Sequence, residues 1–330
     1  MINEKNNMKN IGNVIGVFDG SSGGQIALER SGIGYDNYFA SEIDKHAIKV
    51  TQANYPNTIQ LGDVTKISGD NLPKINLLLG GSPCQGFSIA GKGLNFEDPR
   101  SKLFFEFVRL KNEIQPKYFL LENVVMKKKE WEKIISEYLG VEPILINSNL
   151  VSAQNRKRLY WTNIPNIFQP KDKFVELKDI LEDNIAGMKI MFDNGECIFN
   201  AKNGKNIRLN NKIDLPYTIY EARTEFGKME RKRLRNLYGI DTTPRNKEHK
   251  EYLPLRSNKA NCILTIETPL DYILDKNLNF RTYTINELER LQTLPENYFN
   301  VELTKNQIRK MIGNGWTIDV IVHILKNIPI

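Results

Sequence analysis

The chain has 330 residues, room at ~150 residues per domain for one large domain and a smaller one. A hydrophobic content of 40% with 26% charged residues excludes a collagen-like or wholly disordered polymer, and only three cysteines (Cys84, Cys197, Cys262) exclude a disulfide framework and suggest a reducing compartment. The formal net charge is +7, and where it lies along the chain is more informative than its size.

The first third alternates between strand-like and helix-like runs. Val14 to Phe18 is a short apolar β-like run, followed by the flexible turn Asp19-Gly20-Ser21-Ser22-Gly23-Gly24. Gln25 to Ser31 is predicted helical with Gly32 as its C-cap. Tyr38 to Ser41 is a second strand ending in Glu42, and Asp44 to Asn54 a second helix. Ile75 to Leu79 is a strand entering Gly80-Gly81-Ser82-Pro83-Cys84. Ser101 to Ile114 is predicted helical, with Leu103, Phe104, Phe107 and Leu110 on one face, and Tyr118 to Leu121 is a strand ending in Glu122-Asn123. Such alternation implies an α/β domain, a parallel sheet with helices on both sides. Ligands then bind at the carboxyl ends of the strands, where the Gly turn, Glu42, Cys84 and Glu122 all fall.

From about Pro170 to Asn279 the pattern changes to short mixed runs rich in Asn and Lys, as expected of a separate small domain or insertion. Phe199 to Arg256 carries 14 Lys/Arg against 7 Asp/Glu, leaving 32 of each elsewhere, so this segment holds the whole basic surplus. Its densest part is Arg231-Lys232-Arg233-Leu234-Arg235. A solvated helix face explains a short basic run; confinement of the entire surplus to one region points to a polyanion. Thr284 to Ile330 returns to helical spacing, interrupted by Gly-Asn-Gly at 313–315. No apolar run approaches the ~18 residues of a membrane span, the polar start lacks a signal-peptide core, and three histidines without ligand spacing argue against a structural zinc.

Two positions carry chemistry. The glycine turn lets a ligand approach the backbone, and Glu42, 18 residues after Gly24, falls where an acidic residue meets ribose hydroxyls. The spacing is not the dinucleotide fingerprint, which favours an adenosine-type ligand over NAD. Cys84 sits at a strand exit ahead of a polar, glycine-containing stretch that reads as a lid, where a thiolate can attack an electrophilic carbon; the competing reading is a small buried hydrophobe.

Gly80 through Ser88 (GGSPCQGFS) resembles the catalytic motif of the DNA (cytosine-5)-methyltransferase family. Phe18-Asp19-Gly20 with Gly24, Gly62-Asp63-Val64, Glu122-Asn123-Val124, Gln154-Asn155-Arg156-Lys157-Arg158, Arg281 through Pro295, and Gly313-Asn314 follow in the family's order. About two thirds of the chain is covered, all but the middle. Ser21-Ser22, Trp316 and Leu103-Phe104-Phe105-Glu106-Phe107 are similar to the animal de novo branch.

The resemblance implies a Rossmann-like, S-adenosylmethionine-dependent methyltransferase fold with a mixed, mainly parallel sheet and a small irregular target-recognition domain. It divides the chain into residues 1–168 (catalytic and cofactor-binding), 169–279 (target recognition) and 280–330 (a return to the catalytic domain). It implies methyl transfer to C5 of a flipped-out cytosine in duplex DNA. Cys84 would be the nucleophile at C6, Glu122 the group at N3 and the exocyclic amine, Arg158 the holder of O2, and Arg156 the residue orienting Glu122 and the thiol region. A Glu122 that donates a proton near neutral pH needs a raised pKa, which a closed apolar pocket provides. The cofactor is expected against Phe18, Asp19, Gly20, Ser22, Gly23, Glu42, Ile43, Asp63, Val64, Pro83, Leu103, Asn314, Gly315 and Trp316, with no metal. DNA contacts are expected from Ser88, Ile89, Arg100, Arg223, Arg231 and Arg233. Ordinary alternatives stand beside these roles: a solvated edge strand for Arg156 and Arg158, a helix cap for Asp63, a plain turn for Asn314. The same chemistry on tRNA is an alternative, although the Cys-Phe-Thr tripeptide typical of that branch is absent; a catalytically silent DNA-binding relative is another. The partner is double-stranded DNA, with room for a cognate restriction endonuclease; no membrane is involved, a monomer suffices, and a bacterial or phage-type chain of this kind is expected in the cytoplasm.

Overall fold

A computed structural model describes residues 9–83, 99–126, 128–189, 196–201, 205–210, 216–223, 225–238, 250–256, 258–277 and 279–330. In chain order, β1 (Lys9–Asn10) precedes β2 (Asn13–Val17) and α1 (Gly23–Ser31). Then come β3 (Ile33–Gly34), β4 (Tyr38–Ser41), α2 (Lys45–Asn54), β5 (Ile59–Gln60), β6 (Ile75–Gly81), α3 (Pro99–Ile114) and β7 (Tyr118–Val124). After α4 (Lys129–Leu139) come β8 (Ile144–Asn147) and β9 (Lys157–Thr162). A seven-stranded sheet runs β5-β4-β2-β6-β7-β9-β8. Its first four pairings are parallel, and β9 is antiparallel to both neighbours. The sheet is therefore mixed and mainly parallel.

The strands are apolar without interruption because both sheet faces are covered. Alternate residues feed two cores. Val14, Ala40, Leu77, Leu79 and Leu120 pack towards α1 and the C-terminal helix that holds Val320, Ile321 and Ile324, whereas Ile15, Val17, Phe39, Leu78, Phe119 and Leu121 pack towards α3 and α4. Phe104, Phe107 and Leu110 of α3 are fully buried as the spacing predicts, with Leu103 half-buried at the margin. At Gly80 a Cβ would lie 2.8 Å from the Phe107 ring, so this strand end admits the helix only as glycine. Gly32 ends α1 at φ 69°, the left-handed C-cap expected there.

The segment after residue 170 builds a second sheet. Following α5 (Leu177–Ile180), β10 (Met188–Lys189), β13 (Tyr217–Arg223), β14 (Lys250–Arg256), β15 (Tyr272–Leu274) and β16 (Asn279–Thr282) pair antiparallel in the order β10-β16-β15-β13-β14. The strands β11 (Glu196–Ala201) and β12 (Lys205–Asn210) form a hairpin, and α6 (Glu225–Tyr238) carries the basic run. Three helices close the described chain: α7 (Ile285–Leu291), α8 (Lys305–Asn314) and α9 (Ile318–Leu325).

Polar contacts tie the second sheet's segment to its neighbours. Lys259 Nζ donates to the carbonyls of Asn149, Ser152 and Val175 at 2.7, 3.1 and 2.5 Å. Arg281 of β16 bonds Glu287 of α7 at 2.7 and 2.8 Å, and Glu287 also accepts from the Glu182 backbone N–H at 2.8 Å. Both charged partners are almost fully buried, which an ion pair tolerates only when its lone pairs are satisfied in this way. Among the described residues no helix is long and apolar enough to cross a membrane.

Candidate active site

Where β2, β4, β6 and β7 end, the chain encloses a cavity of about 570 Å³. After β2 the backbone turns through left-handed conformations at Phe18 (φ 56°), Gly20 (φ 57°) and Ser22 (φ 61°) before α1 begins. The turn is held from three sides. Glu42 Oε2 accepts from the Gly20 N–H at 2.9 Å, Tyr298 Oη donates to the Ser21 carbonyl at 2.6 Å, and Tyr38 Oη donates to Asp19 Oδ1 at 2.6 Å. There is no room for a Cβ at Gly16 or Gly24, where it would meet the Tyr38 hydroxyl at 2.5 or 2.4 Å. Asp19 Oδ2 is shielded from water and has no partner. Burial raises the Asp19 carboxyl to about 6, against the lowering effect of the Tyr38 and Ser22 hydroxyls.

A second wall comes from β6 and β7. Glu122 Oε1 pairs with Arg158 Nε at 2.9 Å, both side chains being nearly buried. Asn123 Nδ2 donates to Ser82 Oγ at 3.0 Å, fixing the chain that leads through Pro83 towards Cys84. At Gly81 a Cβ would lie 2.9 Å from Trp316 Nε1 and 3.3 Å from Glu122 Oε2, so the indole and the carboxylate close on the strand end where glycine leaves space.

The third wall is the turn after α8. Arg156 Nη2 donates to the carbonyls of Gly313 and Gly315 at 3.0 and 2.8 Å, and its Nη1 to the Ile263 carbonyl at 3.3 Å. Gln292 Nε2 donates to the Ile312 carbonyl at 2.8 Å and accepts from Thr317 through Oε1 at 2.8 Å. Burial, then the neighbouring Arg158, lowers the pKa of the Arg156 guanidinium.

Residues 12–329 match the model of the C-5 cytosine-specific DNA methylase family. The chain belongs to that family. Membership implies S-adenosylmethionine as methyl donor. Among relatives, the orphan methyltransferase M.SPRI of Bacillus phage SPR is 40% identical over 159 residues, 44% of this chain and 36% of that protein. The matched region is thus little more than a third of that phage protein's length. The type II methyltransferase M.FnuDI of Fusobacterium nucleatum is 27% identical over 96% of this chain and 93% of its own. The solved structure of the Entamoeba histolytica methyltransferase EhMeth shares the fold, with a TM-score of 0.63 at 18% identity, covering 96% of this chain and 97% of that chain.

The cavity suits such a donor. Its lining combines carboxylates (Asp19, Glu42) with apolar and aromatic surfaces (Phe18, Ile43, Trp316, Ile318), matching a sulfonium compound that carries an adenosine. The unpartnered Asp19 oxygen and the space left at Gly81 are the two local features that support the fit.

Of the residues singled out from sequence, Phe18, Asp19, Gly20, Gly23, Glu42, Ile43, Pro83, Glu122, Arg156, Arg158, Asn314, Gly315 and Trp316 all line this cavity. Ser22 does not; it is fully buried beneath the turn and accepts from Gln25 Nε2 at 2.7 Å, and Ser21 faces the cavity in its place. Asp63 caps the short turn Val64–Lys66, accepting from the Thr65 N–H at 3.0 Å, while Val64 and Leu103 pack in the second core. The edge-strand reading of the two arginines fails: β9 lies between β7 and β8, and Arg156, just ahead of it, is buried. Arg158 makes the ion pair with Glu122, whereas Arg156 donates to the Gly313, Gly315 and Ile263 carbonyls and to Cys262 Sγ. Cys84, Ser88 and Ile89 lie outside the described residues. Arg100 and Arg223 are placed by backbone alone, in α3 and at the end of β13. On α6, Arg231 is half-buried and Arg233 pairs with Glu230 at 2.6 Å, as on a solvated helix face. Asn123, Gln292, Met311 and Ile318 line the cavity beyond the expected set. Asn123 and Gln292 lie within motifs already recognised and were legible there.

Proposed function

We propose that this methylase transfers a methyl group to C5 of a cytosine extruded from duplex DNA, through a transient bond between Cys84 and C6 of the base. The observation that carries the reading is convergence. The Glu122–Arg158 pair and Pro83, next to Cys84, share one cavity with the Phe18–Gly23 turn and Glu42. The cofactor supplies an electrophilic methyl on sulfonium when bound to that turn. Addition of the Cys84 thiolate to C6 makes C5 nucleophilic. Glu122 stabilises the charge that develops towards N3, and Arg158 donates to O2 of the base while keeping Glu122 in place. After alkylation at C5, a base or water takes the C5 proton, and elimination of the thiolate regenerates Cys84. Unstacking the base costs a few kcal/mol, offset by phosphate and groove contacts. We place base recognition in residues 169–279, where the basic surplus lies.

Duplex DNA containing 5-fluorocytosine tests the reading, since fluorine at C5 blocks the elimination. A covalent protein–DNA adduct is expected with the native chain and none with Cys84→Ser. Absence of the adduct in both proteins, or label from tritiated methyl donor entering tRNA and not DNA, overturns it.

A further inference from the structure

Two helices that flank the cavity are fastened to each other across its rim. Lys310 of α8 donates through Nζ to Asp44 Oδ2, ahead of α2, at 2.8 Å, and both residues line the cavity. Behind this ion pair, Gln307 Nε2 meets His46 Nε2 at 3.0 Å, Lys49 Nζ donates to the Glu302 carbonyl at 3.0 Å, and Asn54 Nδ2 donates to the Tyr298 carbonyl at 3.1 Å. The division of labour within Asp44 is clear. Its Oδ1 accepts from the His46 N–H and caps α2, which leaves Oδ2 for Lys310. The lysine holds the Asp44 carboxyl below its ordinary range. Next to the pair, Ile43 is 77% exposed and forms an apolar lip on the same rim.

We propose that Asp44 and Lys310 are positioning residues forming a clasp between α2 and α8, one that sets how long the methyl donor and its thioether product stay in the cavity. The proposal rests on reading this cavity as the cofactor pocket. The pair is half-exposed, with 59% of the Lys310 side chain and 26% of the Asp44 side chain open to solvent. Its strength is therefore that of a surface ion pair, and a product-release rate changes by about threefold to fivefold when it is removed.

Stopped-flow measurement of S-adenosylhomocysteine dissociation from the full chain, read through Trp316 fluorescence, tests this. Lys310→Met should release the product about threefold to fivefold faster. Asp44→Asn, which retains the helix cap, should do the same. The double variant should be no faster than either single one, because both remove one interaction. Lys310→Arg should remain slow. Added salt should speed release from the native chain and leave Lys310→Met unchanged. Equal thermal midpoints for the variants separate the clasp from a general loosening. Native release rates in the single variants, or additive effects in the double variant, overturn the clasp and leave the cofactor reading standing. Failure of the native chain to bind S-adenosylhomocysteine overturns both.

Discussion

Asp19 couples pH to stability through a carboxyl that lines the cavity. Its Oδ1 is held by the Tyr38 hydroxyl and its Oδ2 is buried without a partner, and burial raises the carboxyl to about 6. The unfolded chain releases the carboxyl proton around the ordinary value of 3.8. The native state binds the proton more tightly, so this group's contribution to stability is full below about 3.8 and is lost as pH rises through about 6. Asp19→Asn keeps an acceptor for Tyr38 and removes the charge. Urea unfolding without ligand should show the variant more stable than the native chain by roughly 1–3 kcal/mol at pH 8 and nearly equal to it at pH 3.5. No gain at pH 8 would mean that water reaches Oδ2. The same substitution should weaken S-adenosylhomocysteine binding, the usual opposition between stability and a site built to receive a ligand.

Strand ends and turns do the positioning, and the end of β6 is the sharpest case. A methyl group at Gly81 would stand 2.9 Å from the Trp316 indole nitrogen. Gly81→Ala must therefore displace the indole from the cavity wall. Calorimetry should record at least a tenfold loss of S-adenosylhomocysteine affinity with only a small fall in the thermal midpoint, since the strand itself tolerates alanine. How far such elements can be read from sequence depends on the range of the forces that make them. The strands β2, β4, β6 and β7 and the helices α1 to α3 follow from apolar runs and faces punctuated by glycine, all local signals. Helix α4 carried the same kind of signal, with Trp131, Ile135 and Leu139 four residues apart and all buried, and went unassigned. Long-range pairing leaves no such mark. Nothing local in Tyr217–Arg223 says that it hydrogen-bonds to both Lys250–Arg256 and Tyr272–Leu274. The site divides in the same way. Residue types in motifs pointed to Glu42, Glu122 and Arg158. The burial of Ser22 and the bonds of Arg156 to the Gly313 and Gly315 carbonyls depend on which backbone atoms the tertiary fold presents.

For the molecule as a whole, charge and chemistry occupy different parts of the chain. The basic surplus sits in the segment that contains α6, whereas the cavity is bounded by the seven-stranded sheet and the last helices. Lys232 and Arg235 are exposed on α6. If that face meets phosphates, replacing both by Gln should lower the slope of log K against log salt for duplex binding by about 1–2, at ~0.9 per phosphate contact, and leave S-adenosylhomocysteine binding unchanged. An unaltered slope would assign the face to solvent. The separation is secured at two points. On one side Glu182 is tied to α7 through Glu287, Thr284 and Asn286; on the other Lys259 is tied to the carbonyls of Asn149, Ser152 and Val175. The stretch between these ties is also paired into the second sheet, β10 with β16 and β13 with β15. Replacing that stretch therefore means rebuilding two strand ladders as well as both ties, so a grafted segment must bring strands that meet Phe280 and Leu274 in register.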